Sequence, residues 1–143
     1  RDYYWRIGNR DEAHRWHARM LERAEADRLA AKERDQVLLT DKYERHGLSD
    51  EAVEPIRATL KTIPGLRKAY FVRKRVKHHP ERPLYVLGFT IRMALRTKRL
   101  RAEIQQRIVN EVSFPGETIV LSVEGDNYRF GRKFRWMRGS RIL

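Results

Sequence analysis

The chain predicts an α+β fold: a long N-terminal helix, then a four-stranded antiparallel or mixed sheet with helices packed on it. Three observations carry this expectation. Residues 69–93, AYFVRKRVKHHPERPLYVLGFTIRM, hold two apolar, β-rich runs, Ala69–Val76 and Leu84–Met93, separated by KHHPERP. Val, Ile, Tyr and Phe favour a pleated, half-buried surface, and a Pro-x-x-Pro segment does not continue a strand. The second run is apolar on both faces, with Leu84, Val86 and Gly88 on one and Tyr85, Leu87, Phe89 and Ile91 on the other. That pattern marks a strand central in its sheet and covered on each side. Finally, the segments flanking this pair carry apolar residues at helical rather than alternating spacing.

In chain order, Gly8–Asn9 is a break. Asn9 with Glu12 three residues on makes a capping box, and Asp11 and Glu12 suit a helix N-terminus. A long helix is expected from about Arg10 to Arg45, ended by Gly47. Its first half has the stripe Ala13, Trp16, Met20 and Ala24, with His17 and Leu21 beside it; its middle is charged, with Leu29 the one large apolar group. Such a helix either bridges solvent or pairs with a partner helix. The segment also looks like one helix of a tetratricopeptide unit, but no second copy follows. The chain divides into residues 1–47, a flank with the long helix, and residues 48–143, the α+β domain.

Leu48–Glu54 reads as a linker or loose turn, and a short helix is expected from Pro55, with Ile56, Leu60 and Ile63 buried, stopped by Pro64–Gly65. After the two strands, Thr97 caps a helix to about Val112 with Leu100, Ile104 and Ile108 inward. Thr118–Val123 is a third strand. Glu124–Asn127 has hairpin chemistry, and Tyr128–Trp136 is expected as a fourth strand, its aromatics alternating with basic residues. The tail RGSRIL is expected to fray.

The 143 residues carry a net charge of +13, and 36% are charged, against roughly 25% in ordinary globular domains. A field of that sign attracts nucleic acid, anionic lipid or an acidic protein. The absence of cysteine excludes disulfides, thiolate metal sites and thiol catalysis. No apolar run approaches the roughly 20 residues that span a bilayer. The chain opens on RDYYWR, without Met, and is expected to be a piece of a longer protein.

Three groups of residues are candidates for binding. Tyr3, Tyr4, Trp5 and Arg6 form an aromatic–arginine flank, either a membrane-interface belt or a helix end packed on a neighbour. Arg73, Arg75, Lys77, His78, His79 and Arg82 make a cationic inter-strand loop, either a partner-binding edge or a strand end blunted by charge. Arg129, Lys133, Arg135 and Trp136 interleave charge with aromatic surface, a stacking platform for nucleic acid, although the aromatic–glycine signature of RNA-recognition sheets is absent. His14 and His17 share a helix face but lack a third ligand, and H-E-x-x-H does not occur. No phosphate-binding glycine loop or nucleophile motif is present. No catalytic residue, metal or cofactor is therefore expected.

The segments IPGLRKAYFVRKRV, PLYVLGF and FPGETIVLSVEG resemble the soluble accessory region of bacterial membrane-bound zinc metalloproteases of the HtpX-like kind. Residues 63–124 also resemble the C-terminal domain of SseB-type serine-sensitivity proteins, in a proline–glycine opening followed by an Ala-Tyr strand. Neither likeness covers a chemical motif, so no catalytic residue is carried over. The protease likeness implies an accessory module at the cytoplasmic face of a bacterial inner membrane. Its contacts would be a protein partner, a second copy through the long helix, or the anionic membrane surface, with nucleic acid as the alternative partner.

Overall fold

A computed structural model describes residues 10–92 and 97–143; the flank Tyr3–Arg6 lies outside them. The chain falls into two compact units that divide after Gln36. The first contains helix α1, Arg10–Asp35. Along it the stripe of Trp16, Met20, Leu21 and Leu29 is exposed, as are His14 and His17.

Helix α1 stops ten residues short of the expected Arg45. Local bonds after Gln36 compete with helical ones: the Asp41 carboxylate accepts from the Leu38 amide at 2.8 Å, and the Tyr43 hydroxyl donates to the Leu38 carbonyl at 2.7 Å. Tyr43–Arg45 instead forms strand β1.

The second unit is the α+β domain. Its elements are β1, α2 (Asp50–Lys61), β2 (Leu66–Lys74), β3 (Leu84–Ile91), α3 (Lys98–Glu111), β4 (Glu117–Ser122) and α4 (Tyr128–Arg135). The sheet order is β1-β2-β3-β4, with β1–β2 and β2–β3 antiparallel and β3–β4 parallel, so the sheet is mixed. The parallel step follows from the crossover through α3, since parallel neighbours need a long connection.

Helix α2 begins at Ser49, whose hydroxyl accepts from the Ala52 amide at 3.2 Å. Asp50 and Glu51 then sit where the helix dipole favours negative charge. Pro55 is therefore inside the helix, at the cost of one backbone bond, and not at its first position. Helix α3 is capped by Thr97, as its spacing predicts, with Ile104 and Ile108 buried.

Strand β3 is covered on both faces. Tyr85, Leu87, Phe89 and Ile91 join Val53, Ile56 and Leu60 of α2 and Ile104 and Ile108 of α3 in one core. On the opposite face Val86 packs with Tyr70, Val72, Val123, Phe130 and Phe134. This second core exists because Tyr128–Arg135 is a helix rather than the expected strand. Phe130 and Phe134 lie four apart, so a helix buries both on one side, while Tyr128 and Trp136 stay 55% and 79% exposed. An alternating strand would have put all four rings on one face. The turn before it is a 3-10 turn, Gly125–Asn127, and not a hairpin. The sheet still has four strands because β1 supplies the one that α4 does not.

Two glycines set the close approach of α4 to the sheet. A Cβ on Gly88 would lie 2.6 Å from Cγ1 of Val123 and 3.2 Å from the Phe134 ring; one on Gly131 would lie 3.1 Å from Val123. The C-terminus is not frayed. The Ser140 carbonyl accepts from the Phe71 amide at 2.7 Å, the Ile142 amide donates to the Ala69 carbonyl at 2.9 Å, and Ser140 and Ile142 are buried.

Candidate anion-binding groove

Between α4 and the start of β2 lies an open groove of about 340 Å³. It is lined by Arg67, Lys68 and Tyr70 of β2, Thr90 of β3, Val123, and Tyr128, Gly131, Arg132 and Arg135 of α4. The helix period produces the α4 side of this lining: residues 128, 131, 132 and 135 fall on one face at spacings of three and four. Arg67 and Lys68 sit where the β2–β3 register shifts between Leu66 and Lys68. Such an irregularity re-aims side chains. The Lys68 amide donates to the Thr90 hydroxyl at 3.2 Å, which fixes this end of the strand pair.

Four cations thus share one groove, and no carboxylate or histidine lines it among the described residues. The salt bridges among the described residues are made by other cations, Arg73, Lys74, Arg75, Arg99 and Arg107 among them. Arginine presents a planar fork of donors suited to phosphate or carboxylate, and like charges held together gain most when an anion enters. The lining offers charge and ring surface rather than a proton acceptor. At the helix start, Arg129 Nε donates to the Tyr128 hydroxyl at 3.4 Å, and this charge-assisted bond draws the phenol below its ordinary pKa.

The residues singled out from the sequence separate into different settings. Of the residues expected in the inter-strand loop, Arg73 lies instead within β2, paired with Glu44 of β1, and Arg75 follows the strand directly; both converge on Glu44, at 3.5 and 3.2 Å, and Arg73 also donates to the Pro80 carbonyl. His79 lies 3.5 Å from Glu81 and takes a left-handed φ of 53° in the turn closed by the Arg82 amide. Lys77 and His78 lie in the same loop, between β2 and β3. On α4, Lys133 ties the helix to the segment before β1. Its ammonium donates to the carbonyls of Leu39 and Asp41 at 2.6 and 2.8 Å and lies 5.0 Å from the Tyr43 ring centre. Burial, then Asp41, raise the pKa of that Tyr43. Of the interleaved set, only Arg135 lines the groove; Arg129 lies over the Tyr128 ring, 5.9 Å from its centre, and Trp136 is exposed one residue past the end of α4. Sequence reasoning missed Arg67, Lys68 and Arg132. Arg132 becomes visible once the segment is read with a period of 3.6, because it then shares a face with Tyr128 and Arg135.

A second hollow, about 460 Å³, is lined by Arg45, His46, Gly47, Leu48, Asp50, Arg138 and Gly139. The Leu48 amide donates to His46 Nδ1 at 3.0 Å, and burial lowers the imidazole pKa, against smaller opposing effects of Gly139 and Asp50. Among the described residues no three His, Asp or Glu side chains gather to hold a metal, and no helix is long and apolar enough to cross a membrane. Comparison with protein-family models, curated proteins and solved structures gives no match.

Proposed function

We propose that this chain is a non-catalytic interaction module that holds an anionic partner in the groove beneath α4. The observation that supports this is the convergence of Arg67, Lys68, Arg132 and Arg135 on one cavity with no lining carboxylate among the described residues. By contrast, the basic residues at the end of β2 and on α3 include several engaged by acidic neighbours: Arg73 and Arg75 by Glu44, Arg99 by Glu103 and Arg107 by Glu111. A setting that suits such a module is the cytoplasmic face of a bacterial inner membrane, where the metalloprotease-like accessory regions it resembles would lie. There each basic residue near anionic lipid contributes about 1 kcal/mol.

The test is binding of inorganic polyphosphate at low salt by the full chain and two variants. Arg132→Glu with Arg135→Glu should weaken binding more than ten-fold. Arg73→Gln with Arg75→Gln, which leaves the groove intact, should change it less than two-fold. The reverse ranking would place the anion on the loop and remove the support for the groove.

A further inference from the structure

We infer that the anionic partner is a single-stranded nucleic acid, with its phosphates on Arg67, Lys68, Arg132 and Arg135 and its bases on Tyr128 and Trp136. This rests on the anion-binding reading of the groove and adds the class of partner.

Two large rings flank the cations, and neither is needed by the core. Tyr128 is 55% exposed at the start of α4, and Trp136 is 79% exposed one residue past its end. The core on this face uses Phe130 and Phe134 instead. Eight residues at 1.5 Å each separate the rings by about 12 Å along the helix, and at 3.6 residues per turn they differ by only about a quarter turn. Arg132 and Arg135 lie between them, on the groove side. Exposed rings at both ends of a helix whose face is cationic supply, with that charge, the two components of a strand-binding surface: charge that follows the backbone and π-faces that take unpaired bases.

Other anions use only half of this arrangement. An acidic peptide supplies carboxylates but no planar faces in register with the rings. A lipid surface is flat, whereas the cations line a recess between α4 and β2. A duplex keeps its bases stacked on one another, which leaves Tyr128 and Trp136 without a surface to cover. Gly131 also contributes, since its lack of a side chain lets α4 sit against Val123.

The test is fluorescence anisotropy with the full chain and five probes: a single-stranded 12-mer, the same sequence as duplex, an abasic 12-mer, inorganic polyphosphate, and phosphatidylglycerol vesicles. The single strand should bind at least ten-fold tighter than the abasic strand. With four phosphates engaged, the logarithm of its affinity should fall against log salt with a slope of about −2.8. Trp136→Ala, which leaves every residue of the groove lining in place, should cut the margin over the abasic strand by about ten-fold and leave polyphosphate binding unchanged. The ring is 79% exposed, so the variant should keep its fold, which circular dichroism checks. If the abasic strand and polyphosphate bind as tightly as the base-bearing strand, the nucleic-acid assignment falls and the groove remains a general anion site. Binding to vesicles without binding to the strand assigns the groove to lipid and overturns the proposal. If none of the five probes binds, the groove reading itself fails.

Discussion

Gly88→Ala tests whether α4 is clamped to the sheet in the way the packing implies. Gly88 lies in the middle of β3, opposite Tyr70 on one side and Leu121 on the other. An added Cβ would lie 2.6 Å from Val123 Cγ1 and 3.2 and 3.3 Å from two Phe134 ring carbons. Val123 is 4% exposed and Phe134 fully buried, so neither has free space to move into. Valine is also stiff at χ1. Overpacking of this kind costs roughly 1–3 kcal/mol, and the reduced freedom of the unfolded chain returns only about 0.4–1 kcal/mol. The net loss should therefore be about 1–2 kcal/mol, read as a lower urea midpoint with an unchanged slope. Gly131→Ala is the control. Its Cβ would meet Val123 at 3.1 Å, a tight contact, but alanine in a helix regains about 0.8–1 kcal/mol over glycine. That variant should stay within about 1 kcal/mol of the parent. Equal stability of Gly88→Ala and the parent would refute the close seating of α4 on β3.

Four further outcomes are expected. Phe134→Ala should cost about 3–5 kcal/mol by emptying the core of the α4 face, measured by urea unfolding; a loss under about 1 kcal/mol would contradict that core. The Asp41 carboxylate pairs with the buried Lys74 at 3.2 Å and accepts from the Leu38 amide, so Asp41→Ala should destabilise by about 1–3 kcal/mol in urea unfolding. For His46 the folded pKa lies below 6.5, so the unfolded chain takes up its proton first as pH falls. The resulting stability is complete above about pH 6.5 and is lost as pH drops below it; His46→Gln should flatten the decline in urea midpoint between pH 7.5 and 5.5. Trp16 and Met20 are exposed on α1; if that face pairs two copies, light scattering should show a concentration-dependent dimer that Trp16→Ala with Met20→Ala abolishes.

Strand β3 was legible because its two-sided apolarity has one reading: each face must be covered, and the two cores do cover them. Helix α3 was legible from Thr97 and the fourfold spacing of Leu100, Ile104 and Ile108, all local features. Residues 128–136 misled because aromatics at 128, 130, 134 and 136 fit a period of two. Only the pair Phe130 and Phe134 is buried, and four is a helical spacing. Strand β1 was hidden for a different reason. Three residues, Tyr43–Arg45, hold their place through pairing with Val72–Lys74 and the packing of Tyr43 on Phe134, 5.2 Å between ring centres, and no local pattern reports such distant partners. The groove shared that fate: Arg67 and Arg132 are 65 residues apart, and only the fold brings them to one cavity. Net charge carries no position, so composition could not point to this surface.

An amide chemical-shift titration with a single-stranded oligonucleotide locates that surface most directly. A strand held beneath α4 should move the resonances of Arg67, Lys68, Tyr128, Gly131, Arg132 and Arg135, and the indole of Trp136, while the loop from Lys77 to Arg82 stays in place. Shifts confined to that loop or to α1, with the α4 face unmoved, would contradict the groove as the site of binding.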